Sequence, residues 1–276
     1  MKKVVKELSK EFDLDIGEIE LIVSALLRKP RFELYLSNNV DEKLSAFLRL
    51  KLMQLKNGVP IEYITKEVQF LKYYLQIYPG VFIPRLETEY FIELITELIN
   101  FSPARICEIG TGSGAIAIAL ADFFPEAEII ATDICSLAIQ NAQKNISMLN
   151  LKEKIKLLRA DLFHSFSYGV FDLIVCNPPY IPTERINFLP KSVRDFEPRR
   201  AIDGGFGGTA FIKKIIRQAP AYLIKKRSGI ALEIDEDEAD SLDGYLKGRF
   251  THYFFCKDLF GRTRYLFIGD FRTKKV

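Results

Sequence analysis

The feature that most limits the fold of this chain is a regular alternation of short apolar runs and amphipathic stretches from about residue 103 onward. Runs such as ARICEIG predict buried strands, and stretches such as GAIAIALADFF predict the helices between them. Strands separated by helices pair in parallel, in a sheet that is covered on both faces. The last two predicted strands, FTHYFFCKD and TRYLFIGDF, are joined by too few residues for a parallel crossover, so they must pair antiparallel. The sequence therefore predicts an α/β, doubly wound sheet that closes in an antiparallel hairpin.

The residues before this alternation have a different pattern. Apolar residues recur at helical spacing between Ile16 and Leu26 and again between Asp41 and Lys56, which predicts a small helical bundle over residues 1–66. Nothing in this bundle indicates chemistry, so we expect a structural or substrate-docking module. Residues 67–83 are rich in aromatic and β-branched side chains, which predicts a β-hairpin linker, and residues 84–276 form the larger domain.

Two details of the linker region are also predicted. The break at Pro79 and Gly80 interrupts the β-rich run and is the expected position of the hairpin turn. An amphipathic helix follows and extends to about Asn100, with Thr88 as a candidate N-cap.

Composition narrows the class of protein. The chain of 276 residues carries 39 basic and 36 acidic side chains, and its net charge of +3 is too balanced for a broad nucleic-acid surface. The four cysteines form no CxxC pair and the two histidines lie far apart in sequence, so we expect no metal site. The first residues lack the apolar run of a signal peptide, and no run approaches the roughly 18 apolar residues of a membrane span. We therefore expect a cytoplasmic protein.

A glycine-rich turn follows the first strand of the predicted sheet. The run GTGSG, Gly110 to Gly114, lies where this strand turns into a helix, so its backbone can approach a ligand closely. The spacing is GxGxG rather than the dinucleotide pattern GxGxxG, although Ala115 is an accepted variant at the third position, and no P-loop motif is present. A tight turn without a ligand is the alternative interpretation.

Acidic side chains accompany this turn. Asp133 ends the second strand, where its carboxylate can accept both ribose hydroxyls of an adenosine, although it can also cap the next helix. Asp161 ends the third strand, where Asp161 and Leu162 can offer an acceptor and an apolar wall to an adenine, unless Asp161 is an ordinary loop residue. Glu108, beside the glycines, suits a ligand with an ammonium group better than a pyrophosphate. These features together favour S-adenosylmethionine as the cofactor.

The most specific motif is Asn177-Pro178-Pro179-Tyr180, directly after the fourth strand. The prolines hold the turn extended, so the Asn177 side-chain oxygen and the Pro178 carbonyl can both accept from one NH2 group. Tyr180 adds a flat face against which a planar group can stack. The motif predicts methylation of an amide or aromatic amine nitrogen, which is a poor nucleophile unless it is oriented.

The order EIGTGSG, ATD and NPPY resembles the Rossmann-like class I methyltransferases that act on amino groups. NPPY is shared by adenine-N6 methyltransferases of nucleic acids and by protein glutamine-N5 methyltransferases. Four further segments resemble the release factor glutamine methyltransferases (the PrmC/HemK family) over nearly the whole chain: GVPIEYI at 58–64, IPRLETE at 83–89, FEPRRAIDGG at 196–205 and KDLFGR at 257–262. The departures are Leu86 in place of the usual proline, Glu62 in place of glutamine, and Leu162 in place of the tryptophan of some members.

The resemblance implies a reaction and a set of site residues. The substrate would be the glutamine of the Gly-Gly-Gln loop of peptide-chain release factors. Asn177, Pro178 and Tyr180 would be catalytic, and with Pro179 they would bind this glutamine. The resemblance assigns cofactor binding to Gly110, Thr111, Gly112, Ser113, Gly114, Asp133, Leu162 and Asn177. Glu108 and Asp161, argued above from the residues alone, complete the candidate cofactor residues. Arg85 and Glu87 are weaker candidates for closing the pocket, and an exposed ion pair at a helix start is the alternative.

Other functions stay open at this point. A DNA or RNA amino-methyltransferase would need a basic track that binds phosphates. One group of basic residues lies on a predicted helix and just after it: Lys213, Lys214, Arg217, Lys225, Lys226 and Arg227. We interpret this group as a solvated helix face rather than as such a track. The sequence alone distinguishes poorly between a ribosomal-protein glutamine methyltransferase and a release factor glutamine methyltransferase. A non-catalytic adaptor is disfavoured by the intact NPPY. We expect a monomer that binds release factors and forms no stable complex with nucleic acid or membrane.

Overall fold

The computed structural model describes residues 2–35 and 42–273. The chain begins with helices α1 (Lys2–Phe12), α2 (Ile16–Leu27), α3 (Glu42–Lys56) and α4 (Ile61–Thr65). Their apolar faces share a small core that buries Ile19, Ile22, Leu48 and Leu52. Both predicted helical stripes are confirmed, while the expected first residue of the second, Asp41, lies outside the described residues. None of the described helices has the length and hydropathy needed to cross a membrane.

The predicted β-hairpin is present, but its turn is not where the sequence indicated. Strands β1 (Glu67–Phe70) and β2 (Tyr73–Gln76) pair antiparallel through a turn at Leu71 and Lys72, where Leu71 has φ +51°. This register places Phe70 and Leu75 in the main core, and that burial outweighs the turn preference of Pro79 and Gly80.

Residues 77–85 then lead without regular structure to α5 (Leu86–Leu98). The N-cap of α5 is Arg85, which makes no side-chain cap bond. Thr88 is therefore the third residue of the helix rather than its cap, so that prediction was wrong.

The strands of the main sheet and the helices between them follow the predicted order. In order, the elements are β3 (Arg105–Ile109), α6 (Ala115–Phe123), β4 (Glu128–Asp133), α7 (Ser136–Met148), β5 (Ile155–Arg159), β6 (Leu173–Cys176), β7 (Ile181–Pro182), α8 (Lys191–Arg194), β8 (Asp203–Gly205), α9 (Ala210–Gln218), β9 (Gly229–Glu233), α10 (Ala239–Leu246), β10 (Tyr253–Lys257) and β11 (Thr263–Gly269). The short elements β7, α8 and β8 after the NPPY motif were not predicted. Seven of these strands form one sheet in the order β10-β11-β9-β6-β3-β4-β5. The five from β9 to β5 are parallel, and β11 pairs antiparallel with both β9 and β10. The antiparallel closing hairpin is thus confirmed.

The sheet is covered on both faces. Along β6, Leu173 and Val175 pack into the core shared with α5, α6 and α7, whereas Ile174 and Cys176 pack into the core shared with α9 and α10. All four residues are fully buried, which explains why this strand is apolar throughout rather than alternating.

The sheet topology also fixes where a ligand can bind. The chain moves outward from β3 to β4 and β5, and then returns to the other side of β3 as β6. The connections after β3 and β6 therefore diverge to opposite sides and leave a crevice at the carboxyl ends of these two strands. The glycine-rich turn follows β3 and the NPPY motif follows β6, so both predicted motifs meet at this crevice.

Candidate active site

A cavity of about 370 Å³ lies at the crevice between β3 and β6. The structure brings nearly all the sequence-predicted site residues into its wall: Glu108, Gly110, Thr111, Gly112, Ser113, Asp133, Asp161, Leu162, Asn177, Pro178, Pro179 and Tyr180. The linker contributes to the wall from the opposite side through residues 80–82, and the chain after NPPY contributes Arg200 and Phe211. Motifs that are far apart in sequence therefore enclose one site.

The glycine-rich turn is fastened to the end of β4. The backbone N–H groups of Gly110 and Thr111 both donate to the Thr132 carbonyl at 2.8 Å. Gly112 has φ +57°, and its N–H donates to Asp133 Oδ2 at 3.0 Å. A side chain at Gly112 would project into open space in the cavity wall, so glycine there keeps the backbone accessible to a ligand.

Gly114 is the one predicted cofactor residue that the structure does not bring to the cavity wall. It precedes α6 with φ +86°, and a Cβ atom on it would lie 3.2 Å from the Cβ of Ala142. Its absent side chain therefore allows α6 and α7 to approach closely.

Asp133 combines the two roles that the sequence left as alternatives, a place in the ligand cavity and a hydrogen bond at the start of the next helix. Its Oδ2 accepts from Gly112 as described, and its Oδ1 accepts from the N–H of Cys135 at 2.8 Å, at the start of α7. Burial raises the pKa of this carboxyl, although both N–H bonds favour the charged form. Asp133 thus holds both the glycine turn and the helix start, and it still lines the cavity with lone pairs free to accept from a ligand.

Glu108 is a buried carboxyl with an unsatisfied oxygen. Its Oε2 accepts from the Thr111 hydroxyl at 2.7 Å, while Oε1 is buried and has no partner within the described chain. Burial raises the pKa of Glu108 to about 8. Buried polar atoms are almost always partnered, so an unpartnered carboxylate oxygen in a cavity wall fits a ligand that brings a donor or a cation.

Asp161 and Leu162 lie just beyond β5 and complete the far wall. Leu162 is buried in the core beneath the cavity, and Asp161 Oδ1 lies 3.7 Å from Lys214 Nζ on α9. The pair presents an acceptor beside an apolar surface, and its binding of an adenine stays a prediction.

A chain of hydrogen bonds supports the NPPY motif. Asn177 Nδ2 donates to the Thr88 hydroxyl oxygen at 3.0 Å, and that hydroxyl donates to Glu233 Oε2 at 2.8 Å. The Tyr180 hydroxyl donates to the other oxygen of the same carboxylate, Glu233 Oε1, at 3.2 Å. Glu233 was not among the residues predicted from the sequence, although a carboxylate that ends the buried strand next to β6 was a usable signal.

The segment with sequence FEPRRAIDGG lies directly on the NPPY turn. The Ile181 N–H donates to the Ile202 carbonyl at 2.9 Å, where β7 and β8 pair. A Cβ atom on Gly204 would lie 2.8 Å from the Tyr180 Cα and 2.9 Å from the Pro179 carbonyl oxygen. The backbone at residue 204 therefore packs directly against the NPPY turn, and only glycine fits at this position.

Arg85 lines the cavity but does not pair with Glu87 as the sequence suggested. Its guanidinium forms a salt bridge with Glu197, whose carboxylate is almost fully buried, and the Ile83 N–H donates to the same carboxylate at 3.4 Å. These two contacts join the last residue of the linker and the residues just after it to the segment above NPPY. The side of the pocket around Arg85 is therefore formed by the Arg85–Glu197 salt bridge rather than by an Arg85–Glu87 pair.

The seven-stranded sheet, with the glycine-rich turn and NPPY meeting at its switch point, defines the class: the protein is a Rossmann-like class I methyltransferase. The family model described as Methyltransferase small domain matches residues 80–188.

Comparison with relatives gives the family. The release factor glutamine methyltransferase of Thermodesulfovibrio yellowstonii is 32% identical over 271 residues, covering 96% of this chain and 96% of that protein. The human MTRF1L release factor glutamine methyltransferase is 34% identical over 227 residues, covering 76% of this chain and 67% of that protein. The chain belongs to the release factor glutamine methyltransferase family.

Solved structures support the fold. The hMettl16 catalytic domain, in complex with a MAT2A 3'UTR hairpin, is 18% identical with a TM-score of 0.59, covering 83% of this chain and 84% of that one. A methyltransferase from Pyrococcus furiosus is 18% identical with a TM-score of 0.56, covering 80% of this chain and 98% of that one. At this identity the likeness concerns the fold alone.

Proposed function

We propose that this protein transfers a methyl group from S-adenosylmethionine to the side-chain amide nitrogen of the glutamine in the Gly-Gly-Gln motif of peptide-chain release factors. The observation that carries the proposal is the placement of Asn177. Its amide NH2 is bonded to Thr88, so its oxygen is the atom left to accept from a substrate, in a cavity that also holds the glycine-rich turn. Membership of the family supports the choice of substrate.

The cavity wall fits S-adenosylmethionine. The unpartnered oxygen of Glu108 suits an ammonium group, and Asp133 retains lone pairs for the ribose hydroxyls. Asp161 and Leu162 offer an acceptor and an apolar surface to the adenine. When bound, the cofactor supplies an electrophilic methyl group on a sulfonium. We propose that Gly110, Thr111, Gly112 and Ser113 hold it through the turn, while Gly114 acts through helix packing.

The NPPY residues address the low reactivity of an amide nitrogen. We propose that Asn177 Oδ1 and the Pro178 carbonyl each accept one hydrogen of the substrate NH2 group, and that Tyr180 and Pro179 contact its plane. Two fixed acceptors orient the nitrogen and stabilise the positive charge that develops on it, and orientation of this kind supplies on the order of 7–11 kcal/mol. The proton leaves after the attack, so no side chain in the site needs to act as a base beforehand.

The remaining parts of the proposal concern partners and location. We propose that residues 1–66 dock the release factor, that residues 67–83 link this module to the methyltransferase domain at 84–276, and that the enzyme is a cytoplasmic monomer. Among the basic residues of α9, Lys213 Nζ donates to the Ser241 hydroxyl and Lys214 faces Asp161. These lysines have protein partners, which favours a solvated face over a nucleic-acid track.

Methyl transfer with a labelled cofactor tests the function. The purified enzyme is incubated with methyl-labelled S-adenosylmethionine and unmodified release factor, and the digested product is mapped by mass spectrometry. We expect a single methyl group on the glutamine of the Gly-Gly-Gln peptide and none when that glutamine is replaced by glutamate. Label in ribosomal protein, tRNA, rRNA or DNA, with none in the release factor, would contradict the proposal.

A further inference from the structure

The side-chain amide of asparagine has two ends of similar shape, and nothing in the NPPY turn itself decides which end faces the substrate. The proposed reaction needs the oxygen there, because an NH2 group would repel the substrate NH2 instead of accepting from it. A group outside the motif therefore has to set the orientation of Asn177. The chain of hydrogen bonds behind the motif contains the candidates.

The direction of each hydrogen bond in the series Glu233–Thr88–Asn177 follows from the chemistry of Glu233. An ionised Glu233 can only accept, so the Thr88 hydroxyl has to spend its one hydrogen on Glu233 Oε2. The Thr88 oxygen then has only lone pairs left for its second neighbour. It can accept from Asn177 Nδ2, which lies 3.0 Å away, but it cannot donate to Asn177 Oδ1.

From this geometry we infer that Glu233, acting through Thr88, is a positioning residue that locks the Asn177 amide with its oxygen toward the substrate. The inference rests on the proposed function and explains how the Asn177 amide is oriented in that site. Neither Thr88 nor Glu233 needs to touch the reacting atoms for this role.

The surroundings keep both groups in place. The Tyr265 hydroxyl of β11 donates to the Glu87 carbonyl at 2.8 Å, which fixes the first turn of α5 over the sheet next to Glu233. Tyr180 occupies the other oxygen of Glu233, so the carboxylate cannot rotate away from Thr88. The same carboxylate thus positions both polar side chains of NPPY.

The locked state requires Glu233 to be ionised, and burial raises its pKa to about 7. The charged and titratable groups that face it are Glu87 on α5, Cys176 on β6, Tyr180 after β6, and Arg264 and Tyr265 on β11; Asp235 after β9 faces Tyr180 and Arg264 rather than Glu233. Arg264 is the cation among them and favours the ionised form. A protonated Glu233 can donate to Thr88, which frees the threonine hydrogen to point at Asn177 and turn the amide over.

The direct test is a pair of substitutions at residue 88. Thr88→Val keeps the shape but removes the hydroxyl, and we expect kcat to fall by about 10- to 100-fold, with the dissociation constant for S-adenosylhomocysteine within about threefold of wild type. Thr88→Ser restores the hydroxyl and should recover most of the lost kcat. Thr96→Val is the matched control, because that threonine lies on the same helix and donates to the Glu93 carbonyl away from the cavity.

A second variant reads the pH dependence. The wild-type kcat should rise with pH through about 7 as Glu233 ionises. Glu233→Gln, which cannot ionise, should have a lower kcat and lose this rise. If thermal denaturation shows that Thr88→Val is not folded, the pH profile of Glu233→Gln tests the inference instead. A kcat in Thr88→Val within about threefold of wild type, or an unchanged pH profile in Glu233→Gln, would overturn the inference.

A third readout separates this inference from the proposed function. The side-chain amide resonance of Asn177, identified by its loss in Asn177→Asp, should exchange its hydrogens slowly in the wild type and faster in Thr88→Val. Absence of methyl transfer by the wild-type enzyme would defeat the proposed function, while this measurement would still report on the positioning. An Asn177 amide that exchanges equally fast in both proteins would defeat the positioning alone.

Discussion

At the scale of single residues, the site depends on two carboxylates, those of Asp133 and Glu233, that each have more than one partner. Asp133 accepts from the N–H groups of Gly112 and Cys135 while lining the cavity, so its binding role cannot be separated from its structural one. From the sequence alone, Asp133→Ala would be expected to weaken cofactor binding with little effect on the fold. The two backbone bonds change that expectation.

Asp133→Ala should affect both binding and stability. It leaves two backbone N–H groups without acceptors, and hydrogen bonds to a charged group contribute about 1.5–3 kcal/mol each. We expect weaker binding of S-adenosylmethionine by calorimetry. The free energy of unfolding should fall by about 1–3 kcal/mol in urea denaturation, which is less than two full bonds, because Asp133 is partly exposed and water can replace part of each bond. Asp133→Asn, which keeps one acceptor oxygen, should lie between the alanine variant and wild type. Unchanged stability in Asp133→Ala would show that the two N–H groups find other acceptors.

Glu108 gives a prediction about protons. Its pKa of about 8 in the free protein means that it is largely protonated at pH 7. The ammonium of the bound cofactor should favour the charged form and lower this pKa, so binding should release a proton. Since the free protein then carries more protons than the complex, affinity should rise with pH up to about 8.

Calorimetry at pH 7 in buffers of different ionisation enthalpy measures this proton release. Glu108→Gln is matched in shape and cannot ionise, so it should bind more weakly and release no proton. Equal proton release from both proteins would assign the proton to another group.

The residues that could be predicted from sequence are those whose role is local. The glycines, Asp133 and NPPY each form a short motif at a strand end, and parallel strands bring those ends together. Thr88 and Glu233 could not be paired in this way, because their contact depends on how α5 crosses the sheet. They are 145 residues apart, and no sequence pattern fixes that crossing.

At the scale of elements, the NPPY turn depends on the strand that lies over it. Gly204 belongs to β8, and a Cβ atom there would meet backbone atoms of Pro179 and Tyr180 below 3.0 Å. The same Cβ atom would lie still closer to the Gly208 carbonyl oxygen. Backbone cannot yield as a flexible side chain does, so β8, the loop after it or the NPPY turn has to move.

Gly204→Ala should therefore lower kcat and destabilise the protein by about 1–3 kcal/mol, as overpacking does. Gly244→Ala is the matched control: a Cβ atom there meets nothing within 4 Å, and alanine favours the helix by up to about 1 kcal/mol. Both variants are compared by melting temperature and by methyl transfer. Full activity and stability in Gly204→Ala would show that β8 shifts without cost.

The elements themselves were predicted well where burial dictates pattern. The inner strands β9, β6 and β3 are largely buried because both faces are covered, whereas the edge strand β5 is mostly exposed and keeps Lys156 and Arg159. The short final connection forced an antiparallel pair. The turn of the first hairpin was misplaced because the register was decided by burial of Phe70 and Leu75, which outweighed the local preference of Pro79 and Gly80. The insertion of β11 between β9 and β10 could not be predicted, since an antiparallel pair looks the same in sequence whichever strand lies at the edge.

At the scale of the whole molecule, the N-terminal helices reach the cavity through a small cluster between the two parts of the chain. Tyr63, Ile77, Val81 and Ile83 are all buried in this cluster. The Tyr63 hydroxyl donates to the Val81 carbonyl at 2.6 Å, and Val81 also lines the cavity. One hydrogen bond thus joins the helical module to the wall of the active site.

Tyr63→Phe tests whether this bond couples the two parts. The change leaves the buried Val81 carbonyl without its donor, at a cost of about 1–3 kcal/mol. If the helical module opens as a separate unit, amide exchange in residues 61–83 should accelerate by about fivefold or more, while β3 and β6 keep their protection. Tyr74→Phe, at an exposed position of the hairpin, should change neither region. Equal acceleration throughout the chain in Tyr63→Phe would instead show that the helices and the sheet unfold as one unit.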